Sequence, residues 1–161
     1  MKKRLLAIIF PLIFLLSGCF SDPVQDDLLN YLNKEMKEAG KLEDAAVSAY
    51  ERVSGDNYVD DQTMYDTLNK DVIPNYNQLL KELDSAKIET NELKKIHKIY
   101  VEGAGIQYNA FLKIKQALEE QDPGMIQEAN DMLADASKHI QDYSDKLHKL
   151  AKEHDVKIAD K

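Results

Sequence analysis

The sequence predicts an all-α protein, an antiparallel up-down-up-down four-helix bundle. Four long stretches carry apolar residues at steps of three and four, the signature of one-sided helices. Two Asp-Pro pairs, at 22–23 and 122–123, supply an N-cap followed by a proline whose missing N–H costs nothing in a first turn. The connections are short, and the 161 residues include no Trp, six Gly and four Pro. Short links between amphipathic helices make neighbours antiparallel. A second arrangement stays open, a three-helix core with a broken second helix packed against it.

The first helix is predicted over 23–54. Leu28, Leu32, Ala39, Leu42, Ala46, Ala49 and Val53 form its stripe, and Ser54-Gly55 supplies the stop. Gly40 is its weak point. The second helix is predicted over 61–86 on Met64, Leu68, Val72, Tyr76, Leu79, Leu80 and Leu83, with a kink around 70–74 because Pro74 removes a backbone donor. Thr90 is the expected cap of a third helix over 91–120, whose stripe is Leu93, Ile96, Tyr100, Gly103, Gln107, Phe111, Ile114 and Leu118. The fourth, over 123–153, carries the cleanest seven-residue repeat in Ala129, Leu133, Ala136, Ile140, Tyr143, Leu147 and Leu150. Residues 155–161 read as a frayed tail, although Val156 and Ile158 are apolar enough to pack back.

Ahead of the bundle, Lys2, Lys3 and Arg4 precede an apolar run from Leu5 to Leu16. Twelve apolar residues fall short of the roughly 20 needed to span a bilayer. They match the apolar region of an export signal, and the basic residues match its start. Residues 16–19, Leu16-Ser17-Gly18-Cys19, resemble the lipobox of bacterial lipoproteins. The resemblance covers residues 1–19 and implies removal of 1–18 by cleavage between Gly18 and Cys19, with a diacylglyceryl group, and so two acyl chains such as palmitate, on Cys19. Two chains give stable anchoring where one gives only marginal binding. The expected location is therefore the outer face of the cell membrane. Residues 19–22 form the anchor and its short tether, and no cofactor is expected besides that lipid.

Loss of residues 1–18 would remove three of 21 basic residues and none of the 29 acidic ones, taking the net charge further below −8. Such a surface opposes nucleic acid, whose binding runs on neutralising phosphates with Lys and Arg. A catalytic constellation is equally hard to assemble. The single cysteine is assigned to lipid, and neither Gly-x-Ser-x-Gly nor a glycine-rich phosphate loop occurs. His97, His139, His148 and His154 show no Glu-x-x-His partner and read as boundary packing, so neither an enzyme nor a metal site is expected. The loop from Asp56 to Asp61 lacks the ligand spacing of a calcium loop.

Two regions remain as candidate sites. Tyr100, Gly103, Gly105 and Tyr108 form either a ligand notch in the third helix or a close approach to another helix, with Ala45, Ala46 and Ala49 as the counterpart. Asp56, Asp60, Asp61, Glu119, Glu120 and Asp122 gather at the end of the bundle far from Cys19, while Lys87, Lys94, Lys95, Lys98, Lys146, Lys149, Lys152, Lys157 and Lys161 lie toward the near end. The expected role is non-catalytic binding of another envelope protein by the acidic end. The alternative is a small-ligand or cell-wall binding module at the notch.

Overall fold

The computed structural model describes residues 22–158, and among them every regular element is helical. Helix α1 runs over residues 23–51 as α-helical Pro23–Asn30, a π-helical stretch Tyr31–Glu35 and α-helical Met36–Glu51. A 3-10 turn, Gly55–Asn57, leads to α2 over residues 61–85, again with an internal π-helical stretch, Leu68–Val72. Helices α3, Asn91–Glu120, and α4, Pro123–Glu153, are uninterrupted. The predicted boundaries hold within three residues, and α2 is one rod, so four helices and not three build the core.

The caps explain the starts. Asp22 accepts hydrogen bonds from Val24 N at 3.0 Å and Gln25 N at 3.3 Å. Asp60 accepts from Thr63 N at 2.7 Å, and Asp122 from Gly124 N at 2.8 Å. Each satisfies N–H groups that the first helical turn leaves without partners. The effect of Pro74 appears one turn early. Because its ring offers no N–H, the preceding turn widens to bonds five residues apart, such as Ile73 N to Leu68 O. The π-helical stretch in α1 contains neither Pro nor Gly and was not foreseen, whereas Gly40 lies in regular helix.

Contacts between distant residues set the directions. Near the start of α1, Tyr31 meets His97 near the start of α3 and Tyr143 near the end of α4. At the opposite pole Tyr65 in α2 donates to Glu119 at the end of α3, and Gln121 donates to Asp61. Neighbouring helices therefore run antiparallel. We call the pole that gathers residue 22, loop 86–90 and residues 154–158 the near pole.

Most predicted stripe residues are buried, including Leu28, Leu68, Val72, Leu79, Leu93, Phe111 and Leu147. One substitution in the reading stands out. Leu42 is only half-buried, and the seam position belongs to Glu43, which is 3% exposed. The tail is also corrected over its described part, since Val156 is buried and Ile158 packs partly against the core. Residues 159–161 lie outside the described ones.

The near pole is sewn by side chains of α1. Thr90 occupies the cap position of α3 but makes no capping bond of its own. Instead the buried Asp27 carboxyl accepts from Thr90 N at 2.8 Å, Thr90 Oγ1 at 2.6 Å and Glu89 N at 3.1 Å. Glu35 accepts from Lys87 N at 2.9 Å, and Gln25 donates to the His154 carbonyl at 2.8 Å. Removing a buried acceptor of several bonds strands every donor it served. Asp27→Ala is expected to lower the unfolding free energy by about 3 kcal/mol, read by urea denaturation; a loss below about 1 kcal/mol would show that loop 86–90 holds itself.

Candidate functional site

Leu16, Ser17, Gly18 and Cys19 lie outside the described residues, as does Lys161. The acidic residues expected at the far pole do gather there, and Asp56, Asp60, Asp61, Glu119, Glu120 and Asp122 are all exposed. Most also have structural work. Asp60 and Asp122 are caps, Asp61 accepts from Tyr58 at 2.6 Å, and Glu119 accepts from Tyr65 at 2.8 Å. The bond from Thr63 N holds the Asp60 carboxyl below its ordinary range. Between these acids the loop before α2 exposes two apolar side chains, Tyr58 at 46% and Val59 at 73%. The sequence points to the acids of that loop but not to its exposed apolar pair.

The near pole is mixed, not basic. Exposed Lys87, Lys94, Lys95, Lys152 and Lys157 are interleaved with exposed Asp26, Asp84, Glu89, Glu92, Glu153 and Asp155. The axial contrast in charge therefore comes from the far pole.

The four residues of the suggested notch do not act together. A Cβ on Gly103 would lie 2.8 Å from His139 Cβ and 3.4 Å from the Ala136 carbonyl oxygen, so α4 presses on this glycine. The counterpart is thus α4 and not the alanines of α1, of which Ala45 is exposed. Buried Gly103, Ala110 and Ala117 recur every seven residues on α3, as Ala129 and Ala136 do on α4. Small side chains at such intervals let two helices approach closely. Gly105 faces open space, Tyr108 is half-buried, and Tyr100 is buried in a different layer.

That layer is the most unusual chemistry in the molecule. His97, predicted at a boundary, is buried and sits at the centre of a directed chain of hydrogen bonds. Its Nε2 lies 2.9 Å from the Leu83 carbonyl oxygen, which can only accept, so the ring proton is on Nε2. Burial lowers the His97 pKa and keeps the ring neutral, leaving Nδ1 as acceptor for the Tyr31 hydroxyl at 2.9 Å. Tyr31 has then spent its proton, and Tyr143 donates to it across 3.1 Å. Leu83, His97, Tyr31 and Tyr143 come from four different helices.

Tyr143 stacks on Tyr100, with centroids 4.6 Å apart at 15°, and the Tyr100 hydroxyl donates to Glu43 Oε2 at 2.8 Å. Burial pushes the Glu43 carboxyl up from 4.5 to about 7, the Tyr100 bond opposing and the neighbouring Asp44 adding to the shift. The same burial raises Tyr76, Tyr100 and Tyr143 well above the ordinary tyrosine range, Glu43 contributing to each. Among the described residues, the wholly buried Tyr76 hydroxyl is the one buried side-chain polar atom without a hydrogen-bond partner. Every side chain of the layer, from His97 and Tyr31 to Glu43 and Tyr76, is buried. Asp22 and His154 form a separate pair at 2.6 Å at the near pole, and that bond lowers the Asp22 pKa.

Among the described residues no group of three or more His, Cys, Asp or Glu is placed to hold a metal ion, and no helix is long and apolar enough to cross a membrane. Compared with protein-family models, with curated proteins and with solved structures, the chain matches none.

Two measurements check these assignments. Gly105→Ala should stabilise the bundle by up to about 1 kcal/mol, the helix-propensity difference, while Gly103→Ala should destabilise it despite the same propensity gain. Equal shifts in thermal midpoint would show that α4 does not press on residue 103. For Glu43 the folded pKa exceeds the unfolded one, so the folded state binds the proton more tightly and stability falls as pH rises from 4.5 toward 7. Between pH 5 and 8 wild type should lose about 2–3 kcal/mol more than Glu43→Gln in urea titrations. Parallel pH curves would remove Glu43 from this role.

Proposed function

We propose that this chain is a lipoprotein of the bacterial cell envelope, held to the outer face of the membrane through acylated Cys19, and that it works by non-catalytic binding of another envelope protein. The export signal and the Leu16-Ser17-Gly18-Cys19 motif support the anchor. The observation that carries the binding role is the pair Tyr58 and Val59, exposed at 46% and 73% beside exposed acidic residues at the pole opposite residue 22. Exposed apolar side chains rimmed by charge are typical of protein contact surfaces. A tether of so few residues keeps the near pole at the lipid and turns this surface outward.

Binding suits the interior as well. The titratable groups whose pKa burial raises most, Glu43 and its tyrosines, are enclosed by helices. The alternative of a ligand notch at Gly103–Tyr108 has weaker support, since α4 occupies the space beside Gly103.

Cys19→Ser should move the protein from the membrane fraction to the soluble fraction and abolish incorporation of a labelled fatty acid. In living cells, photo-crosslinkers at Val59 and Glu120 should capture the same protein repeatedly, and one at Lys94 should not. Capture that is equal from both poles, or absent from the far one, would defeat the proposed binding surface.

A further inference from the structure

The two halves of α1 are held in different ways. Up to residue 35, α1 is fixed by Asp22, Gln25, Asp27, Tyr31 and Glu35, each hydrogen-bonded to another helix, a loop or the residues after α4. Beyond it, among the described residues, the bond between Glu43 and Tyr100 is the one side-chain hydrogen bond from Met36–Glu51 to another helix. Between the two halves lies the π-helical stretch Tyr31–Glu35, which closes at Met36 with ψ at −1° before regular α-helix resumes. Such a turn is a weak place in a helix and a natural pivot.

We propose that the buried Glu43 carboxyl is a proton-operated latch: neutral, it lets the outer half of α1 stay packed in the bundle, and ionised it drives that half to move about the turn at Tyr31–Glu35, carrying the Tyr58–Val59 loop. The inference does not depend on the binding role of that loop.

The groups around Glu43 make it the element that titrates. Glu43 faces Tyr76 on α2, Tyr100 on α3 and Tyr143 on α4, whose pKa values its charge helps to raise, and Asp44 adds like charge from α1 itself. Among the described residues no cation acts on it. The tyrosines keep their protons throughout the neutral range, and His97, one layer nearer the pole, stays neutral. A protonated carboxyl accepts the Tyr100 bond at little cost. An ionised one has a single donor and no counter-ion in an apolar layer, and relief comes from letting water in between α1 and α3.

With the carboxyl near 7 when latched and 4.5 when open, linkage makes opening about tenfold more favourable at pH 8.5 than at pH 6. Hydrogen exchange of the full chain, corrected for the intrinsic pH dependence of amide exchange, reads this directly. Protection over residues 36–60 should fall about tenfold between those pH values, while residues 23–30 and 147–153 keep theirs. Glu43→Gln should hold the protection of wild type at pH 6 across the range, and Tyr100→Phe should lower it over 36–60 at both pH values. If Glu43→Gln does not fold, the wild-type comparison carries the test alone. Unchanged wild-type protection, a fall spread evenly along the chain, or an equal fall in a folded Glu43→Gln would each overturn the latch.

Discussion

The Tyr31 hydroxyl is the point on which the four helices agree. It gives its proton to His97 and receives one from Tyr143, while His97 passes its own to the Leu83 carbonyl at the end of α2. Leu83 is among the last residues of its helix, where its carbonyl accepts from Ala86 N at 3.3 Å just past the helix end, and the His97 ring of α3 adds a second, shorter bond to the close of α2. Buried polar groups cost about 1–3 kcal/mol each when unpaired. An arrangement that shifts one helix by a turn breaks several of these bonds together, whereas an apolar core of leucines and alanines would tolerate the slip. Hydrophobic burial supplies the drive to collapse, and this chain of donors selects one register from the collapsed forms.

The sequence was most legible where local chemistry decides local structure. Asp22-Pro23 and Asp122-Pro123 marked two helix starts, and the span of α4 needed nothing beyond its cap and periodicity. It was least legible where a polar residue occupies a seam. Met36, Ala39, Glu43, Ala46, Tyr50 and Val53 are all buried and follow steps of three and four without a break. Only the expectation that seams are apolar favoured Leu42 over Glu43. Strict attention to spacing would have exposed Glu43, and with it the question of what partner it has.

Partners themselves were beyond a one-dimensional reading. Tyr31 and Tyr143 are 112 positions apart, Asp27 and Thr90 are 63 apart, and nothing local in either segment announces the other. The same holds for Gly103, whose small size was noticed but whose neighbour was assigned to α1. Only the pairing of α3 with α4 identifies His139 and Ala136 as the groups that require it. At the far pole the acids were visible as charges, while the exposure of Tyr58 and Val59 between them depends on how the loop turns after Gly55, whose φ is +58°.

The sewing of the near pole has a mechanical side. Any pull on the chain enters the bundle at residue 22, and there it meets Asp22 bonded to His154, Gln25 bonded to the same residue's carbonyl, and Asp27 bonded to loop 86–90. These bonds lie within two turns of helix, so a load is shared among them instead of peeling α1 away one contact at a time. Traction from the N-terminal side would then be borne by three helices at once, leaving the far pole undisturbed while the near one is under strain.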